Sequence, residues 1–563
     1  MQKHVITATC IFILLFQGGF NDSIWSLAGI VASVFLIFKG KRRPPAPIAF
    51  LLLSMVLIYC VAMLYHGLTF EALASVNRVI VVFLMLMVFY NIEADIDNTI
   101  LITGLVAAGI GIAAFSGIFT WTGAVSARRL QSTFQYANTA GLFFAVSAFV
   151  AHQHEKRKPY AFILEMAMLL TQSVGAILVY IFGWIIVGIT KRSKVDYIVY
   201  SLVLALISTT FVFGLVYIIG IPQLGILPPI IIFLTWKKYQ QYVIKIIPPK
   251  FILWIGAGIL PVIGAVLIFT RGLRPIATYI ERIIQSIDGI SIILRYPFGL
   301  GPGSWQFLFT TYQSAPYEVS KIHNEYVAMG VDAGFLIIIP TIILLIYWIK
   351  HQKWDYKSIC VVMILLHGVM DIPFSFLIIV ILLVILVVKT TPETRTMPIY
   401  VRFAFVIPLV LCALVFSTMA MRNRAAWLAN AGEIEAAVHM LDNRLIQNDT
   451  EAILTQMALF SQMGDHKNVE YLHLSLSRPT VRAYAIMASS YLNNQLPNEA
   501  IASAMTVVEL APHSLRTSVL LRRILPYLND DVQLAYREKI EIYMEGIQVN
   551  PLFIYITKIR EGG

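Results

Sequence analysis

Leu377-Ile378-Ile379-Val380-Ile381-Leu382-Leu383-Val384-Ile385-Leu386-Val387-Val388 lies within an uncharged stretch covering 373–388. Crossing about 30 Å of hydrocarbon takes roughly 17–25 mostly apolar helical residues. Comparable blocks fall near 5–17, 23–38, 47–65, 77–91, 99–119, 139–151, 159–171, 174–190, 196–213, 218–236, 252–270, 326–349, 358–371 and 398–421. Some are short enough to be half-helices, so the pattern predicts an all-α, polytopic membrane helix bundle of about 12–15 spans. The composition agrees: 58% of the 563 residues are hydrophobic and 13% charged, with a mean hydropathy of +0.77. Soluble domains have roughly 45–50% apolar and about 25% charged residues. A soluble multidomain protein is excluded for most of the length.

The net charge of +11 is uneven. Residues 422–563 carry 13 Lys+Arg against 15 Asp+Glu, and residues 1–421 carry 29 against 16. The tail is thus a separate, near-neutral body, and a uniform basic surface for nucleic acid is not expected. The chain divides into a membrane part, 1–421, and a C-terminal domain, 422–563. Cys10, Cys60, Cys360 and Cys412 all lie in apolar runs without metal-ligand spacing, which reads as packing and not as a disulfide framework. Val5–Phe16 has the look of a signal peptide but lacks a small-residue cleavage site, so it reads as a membrane segment.

Orientation follows Lys and Arg in short loops. Lys39–Arg43, Lys156–Lys158, Lys191–Lys194, Lys237–Lys250 and Lys350–Lys357 hold 17 basic residues, and all fall on one side if every block crosses once. That side reads as cytoplasmic; the acidic Asn91–Asn98 loop counts little. The cluster His152, His154, Glu155 and Lys156–Lys158 reads as topogenic and not as a metal site. The opposite side receives the loop 121–138, a long loop at 271–325 and everything after 421. Long loops are usually functional or disordered, and Trp305, Phe307, Phe309, Tyr312 and Tyr317 argue for order here.

The tail is repetitive. Tyr491-Leu492-Asn493-Asn494-Gln495-Leu496-Pro497-Asn498-Glu499-Ala500-Ile501 resembles a tetratricopeptide turn and helix start. Gly432 and Gly464 are 32 apart, and Pro479 and Pro512 are 33 apart. A period near 34 predicts an α-solenoid (TPR-like); an unrelated helical domain is the alternative.

In the long loop, Arg295-Tyr296-Pro297-Phe298-Gly299-Leu300-Gly301-Pro302-Gly303-Ser304-Trp305 precedes His323-Asn324-Glu325-Tyr326-Val327 and Asp332-Ala333-Gly334. The glycines are no nucleotide loop: they follow no strand and lack the Lys-Ser/Thr of a P-loop. Together with Arg129-Leu130-Gln131-Ser132-Thr133-Phe134-Gln135-Tyr136-Ala137-Asn138 and His367-Gly368-Val369-Met370-Asp371, these segments resemble, in order, the O-antigen ligase and O-antigen polymerase family of bacterial membrane glycosyltransferases. Arg282 stands where that family places an Arg before its "hPl-G" stretch. Ser173-Val174-Gly175 lacks the Arg of the family's "SR-G" step, and Asp332 replaces its usual Glu.

The resemblance implies a GT-C-like fold and transfer of a saccharide from a polyprenyl-diphosphate donor to a glycan, lipid or protein acceptor. The reaction would run at the outer face of the bacterial cytoplasmic membrane. The catalytic loop and the tail would be extracytoplasmic, and the tail could contact a protein partner. Polymerisation, ligation and protein O-glycosylation all fit it. A departing diphosphate needs fixed cations, for which planar guanidinium suits better than ammonium. The outer loops offer Arg128, Arg129, Arg271, Arg274, Arg282 and Arg295 but only Lys321. Arg129 and Arg282 are the candidate diphosphate ligands, with Arg128 and Arg295 as further donor contacts; snorkelling to headgroups is the alternative and is favoured for Arg271 and Arg274. No cofactor and no metal is expected.

His323 is the candidate to activate or orient the acceptor hydroxyl; otherwise it caps the next helix, as Asn324 or Ser320 could. Asn324 and Asn138 are candidate substrate contacts. His323 and Asp332 are nine apart, so on one continuous helix they would point in opposite directions. They meet only if the helix starts after His323, so Asp332 reads as structural or pKa-tuning. His367 and Asp371, four apart on one helical face, read as a mutual pair or as substrate contacts. Two rival functions stand beside transfer: a transporter or flippase of lipid-linked sugars, with polar groups near the bilayer midplane, and a membrane scaffold presenting the TPR domain.

Overall fold

The computed structural model describes residues 2–93, 95–190, 195–246, 274–391, 394–443 and 448–524. The apolar block 252–270, the Lys191–Lys194 loop, the end of the Lys237–Lys250 loop, Arg271 and the tail beyond 524 lie outside them. The described chain is mostly helical. Its first half runs α1 (Gln2–Leu15), α2 (Asp22–Lys39), β1 (Arg42–Arg43), α3 (Ala46–His66), α4 (Phe70–Asn91), α5 (Ile96–Phe115), β2 (Val125–Ser126), β3 (Arg129–Leu130), α6 (Ala137–Ala151), α7 (Lys158–Leu170), α8 (Val174–Thr190), α9 (Val195–Phe213) and α10 (Leu227–Ile246). Then come α11 (Arg274–Arg295), α12 (Trp305–Tyr312), α13 (Glu325–Ala333), α14 (Ile338–His351), α15 (Tyr356–Met370), α16 (Leu377–Thr390), β4 (Arg395–Thr396) and α17 (Val406–Asn430). The tail adds α18 (Ile434–Leu441), α19 (Thr450–Gln462), α20 (His466–Ser475), α21 (Val481–Asn493), α22 (Pro497–Leu510) and α23 (Leu515–Ile524).

Among the described residues, six helices are long and apolar enough to cross a membrane: Asp22–Lys39, Ala46–His66, Phe70–Asn91, Ile96–Phe115, Ile198–Ile219 and Ile399–Asn430. Shorter apolar helices include Ala137–Ala151, Phe335–His351 and Leu377–Thr390. Phe50, Leu53, Leu57, Val61 and Leu64 stand exposed along α3, a face that suits lipid and not water. By length and composition these helices could span a membrane, which suggests a membrane protein. The block 326–349 is not one continuous crossing: Gly334 (φ +78°) separates α13 from the apolar Phe335–His351 segment.

The chain forms two units. The first comprises 1–50, 81–270 and 343–406; the second comprises 51–80, 271–342 and 407–563.

In the first unit α6 is apolar all round and buried almost throughout, as a helix in the centre of a bundle must be. Small residues let its neighbours close in: a Cβ on Gly104 would meet Ser147 at 2.7 Å, and one on Gly141 would meet Thr171 Oγ1 at 2.8 Å. Among the described residues, the loops holding Lys39–Arg43, Lys156–Lys158 and Lys350–Lys357 are tied to the 91–98 loop or its flank at one end of this unit. β1 pairs with β4, Arg42 opposite Thr396 and Arg43 opposite Arg395. Asn91 Oδ1 accepts from the Lys41 and Arg42 amides, both at 2.7 Å. Asp97 Oδ2 lies 2.8 Å from His154 Nε2, 3.9 Å from Arg157 Nη1 and 2.6 Å from the Tyr356 hydroxyl. The acidic Asn91–Asn98 loop, contrary by charge alone, therefore serves as the anchor to which basic loops are tied.

In the second unit, α17 leads into the tail helices. Asp449, Asp465 and Thr480 cap α19, α20 and α21 by accepting N–H bonds from the first turn. Successive apolar clusters link α17–α19, α19–α21 and α21–α23. Phe307 of α12 packs into the middle cluster.

Candidate functional site

The first unit holds one group of the sequence-predicted residues at the end opposite its basic loops. β2 and β3 form a hairpin with Ser126 opposite Arg129, leaving a two-residue turn of Ala127 and Arg128. Both turn residues have positive φ (49° and 58°). That is the conformation in which Asn-Gly is favoured, because a Cβ there is crowded. Arg128 accepts that strain and is exposed, its guanidinium 5.5 Å from the Tyr217 ring centroid. Gln172, also at positive φ, donates to the Arg128 carbonyl at 3.0 Å.

The hairpin thereby delivers Arg129 to the C-terminal end of α7. Its Nε donates to the Thr171 carbonyl at 2.8 Å and its Nη2 to Asn138 Oδ1 at 2.7 Å. A cation at a helix C-terminus is favoured by the helix dipole. Asn138 Nδ2 donates to Asp371 Oδ2 at 2.6 Å, and the Tyr136 hydroxyl donates to Asp371 Oδ1 at 2.5 Å. The expected shared helical face of His367 and Asp371 is corrected here. α15 ends at Met370, and Asp371 is in extended conformation (φ −158°, ψ −171°), so its carboxylate turns to Tyr136 and Asn138. His367 is buried. It faces the Ser173-Val174-Gly175 step, where a Cβ on Gly175 would sit 3.6 Å from its Nε2.

The second unit holds the other group. α11 occupies much of the segment read from sequence as a loop, and it is two-faced. Gln285, Asp288 and Ile292 are buried, while Ile283, Ile287, Ile290 and Leu294 stand exposed as a stripe. At 100° per residue, Arg282 falls on the border between these faces. Arg295, at the helix end, is exposed. Asp288 Oδ2 accepts from the Ser314 amide at 3.0 Å and the Tyr317 hydroxyl at 2.8 Å, fixing the chain that leads to His323.

One turn before Asp288, Gln285 Oε1 lies 3.4 Å from the His323 amide nitrogen and 3.2 Å from its Nδ1. An amide oxygen only accepts, so in this arrangement Nδ1 carries the proton and Nε2 the lone pair. Asn324 is the N-cap of α13, its side chain accepting from the Tyr326 and Val327 amides. The helix starts after His323, which is the condition under which His323 and Asp332 need not point apart. Asp332 accepts from the Gly303 amide at 3.1 Å. It lies in α13, outside the candidate spans, and burial pushes its carboxyl up to about 7 against the pull of the Gly303 amide, Lys321 and Arg78. The Gly-rich segment fits only as glycine: a Cβ on Gly299 would meet the Val331 carbonyl oxygen at 2.3 Å.

The structure thus groups Arg129, Asn138 and Asp371 in the first unit, and links His323 to the helix that carries Arg282 in the second. Sequence reasoning missed Gln285, Tyr136 and Asp288. Each is an ordinary polar residue in an ordinary helix or loop, distinguished only by its burial or its partner. It also missed Glu165, which lies mid-helix in α7, fully buried. Glu165 accepts from Tyr180 (2.6 Å) and Ser201 and lies 2.8 Å from His152 Nε2. Among the described residues, no three His, Cys, Asp or Glu side chains are grouped to hold a metal ion.

No protein-family model matches this chain. Nor does any curated protein sequence.

Proposed function

We propose that this chain is a membrane glycosyltransferase of the O-antigen ligase or polymerase kind, moving a saccharide from a polyprenyl-diphosphate donor to an acceptor hydroxyl. The observation that carries the reading is His323, oriented through Nδ1 by Gln285 on the helix that also bears Arg282. In this scheme His323 Nε2 takes the proton of the acceptor hydroxyl as its oxygen bonds to the anomeric carbon. The bond from that carbon to the diphosphate oxygen breaks, and the diphosphate leaves with its charge held by Arg282, on the same helix as Gln285. The exposed Ile283–Leu294 stripe supports a lipid-borne donor, since such a face suits a helix lying at a membrane surface. The basic end of the first unit would face the cytoplasm, and the tail would be a TPR-like brace outside.

The test is transfer from lipid-linked oligosaccharide by the purified full-length protein, compared with Arg282→Ala and His323→Ala. Both variants should lose at least a hundredfold; undiminished transfer in both would sink the reading. The buried Glu165 group favours a second reading, a transporter of lipid-linked sugars, because ionisable groups inside membrane helices usually serve function. Donor movement between leaflets without transfer, lost in Glu165→Gln, would select it.

A further inference from the structure

The second unit contains a polar cleft that none of the transfer residues lines. α3 ends at His66, the chain turns through Gly67–Thr69, and α4 begins at Phe70. This corner, Gly301–Ser304 and the tail segment Ser477–Thr480 enclose a cavity of about 30 Å³, walled by His66, Thr69, Ser304, Thr450, Arg478 and Thr480. One water needs roughly 10–15 Å³ on this measure, so there is room for a small group such as an oxyanion.

Arg478 dominates the cleft. One Nη donates to the Leu300 carbonyl at 2.6 Å, and the other donates to His66 Nδ1. Two of its five N–H donors are thereby used. The side chain is half-buried, yet among the described residues no carboxylate lies within ion-pair distance of it. Its neighbours in the tail differ: Arg422 pairs with Asp449 at 3.2 Å and Arg482 with Glu451 at 2.8 Å. Glu71, the carboxylate on the cleft wall, accepts instead from the Thr450 hydroxyl at 3.3 Å and the Glu451 amide at 3.2 Å. A partly desolvated guanidinium without a counter-ion is costly unless something negative arrives.

Hydroxyls on the wall can donate as well, beside the apolar Ala72, Phe307 and Leu308. A guanidinium can only donate, so His66 Nδ1 accepts and the ring proton sits on Nε2. That Nε2 is buried, near the Phe298 and Gly299 backbone but outside hydrogen-bond geometry. Thr69 and Thr480 each accept a backbone amide, from Ala72 at 3.3 Å and Ala483 at 3.1 Å, which leaves their hydroxyl protons to donate.

We infer that this cleft is an oxyanion-binding site, in which Arg478, held by His66 and the Leu300 carbonyl, grips the carboxylate or phosphate of an acidic saccharide with the Thr69 and Thr480 hydroxyls as further donors. The oxyanion assignment stands on the cleft alone, while the saccharide rests on the transfer reading.

The test is equilibrium binding to the full-length protein in zwitterionic nanodiscs, with glucuronate, inorganic phosphate and neutral glucose as probes. Glucuronate or phosphate should bind at least tenfold more tightly than glucose, and the tighter of the two identifies the group recognised. Arg478→Gln should weaken that binding at least tenfold, and Arg478→Lys should weaken it while keeping the charge. Arg482→Gln should leave it unchanged. Equal affinity in wild type and both Arg478 variants overturns the site. If nanodiscs of anionic lipid abolish binding of both oxyanions, the cleft belongs to a lipid headgroup and the saccharide assignment falls. Binding needs no donor, so a protein that binds glucuronate through Arg478 but transfers nothing overturns the transfer reading alone.

Discussion

Arg129 and Asp371 are joined through a single amide: Asn138 accepts from the guanidinium at 2.7 Å and donates to the carboxylate at 2.6 Å. The amide holds the start of α6, the β2–β3 hairpin and the residue after α15 in one register. Its two ends are not interchangeable, because the oxygen faces donors and the NH₂ faces an acceptor.

Replacing that amide by an apolar group of like size should therefore be felt as lost stability. Asn138→Leu leaves the buried Asp371 short of a donor, at a cost of about 2–3 kcal/mol. Thermal unfolding of the purified protein should show a fall of several degrees. An unchanged midpoint would mean that the bridge contributes nothing.

Gln285 acts on chemistry only through His323, and its effect should appear in a pH profile. In Gln285→Glu a carboxylate faces Nδ1–H and favours the protonated imidazole. The acidic limb of kcat/KM for transfer should then move to higher pH by roughly one unit. Gln285→Leu should lower transfer without that upward move. An identical limb in wild type and Gln285→Glu would remove Gln285 from the mechanism.

The glycines separate by what surrounds them. A Cβ on Gly334 would lie 1.8 Å from the Pro297 carbonyl oxygen, at φ +78°. Gly334→Ala must displace backbone and should cost more than about 3 kcal/mol. Gly432 has equally positive φ (+85°) but nothing within 4 Å, so Gly432→Ala should cost only about 1 kcal/mol. Proteolytic sensitivity of the two purified variants would rank them.

Asp332 should make stability fall as pH rises. Its folded pKa of about 7 lies above the ordinary carboxylate value near 3.8, so between those values the native state binds the extra proton. The protonated form supports the fold fully below about pH 4, and that support is lost progressively up to about pH 7. Asp332→Asn, which keeps an acceptor for the Gly303 amide, should flatten this slope in unfolding midpoints measured across the range. A slope unchanged by the substitution would place its origin elsewhere.

Much of this architecture was legible because hydrophobicity and caps are local. Leu377–Val388 reads as an apolar membrane-segment helix from composition alone, and Asn324 is one of three residues, with His323 and Ser320, that the sequence offers as the cap. Lys39–Arg43 and Tyr356 are both tied to the Asn91–Asn98 loop, an anchor that the charge pattern of the sequence does not mark. Other features had no local mark. Ala127–Arg128 lacks the Gly or Asn that announces a tight hairpin, because the strain is borne by the surrounding fold. Asp371 keeps helical spacing from His367 in the sequence, but the helix stops one residue too soon. Gln285 meets His323 only through the packing of α11 on α13, and single-sequence periodicity carries no information about partners so far away.

The short ribbon of β1 and β4 sets a timetable for biogenesis. Arg42 and Arg43 leave the ribosome early, whereas their partners at Arg395 and Thr396 are delivered only after most of the membrane part has been made. Non-local pairings of this kind form late because a long stretch of chain must first be closed into a loop. The first unit therefore cannot finish folding during synthesis of its early helices. A nascent chain arrested before position 395 would leave that strand edge without its partner, a state that quality-control machinery could distinguish from the finished protein.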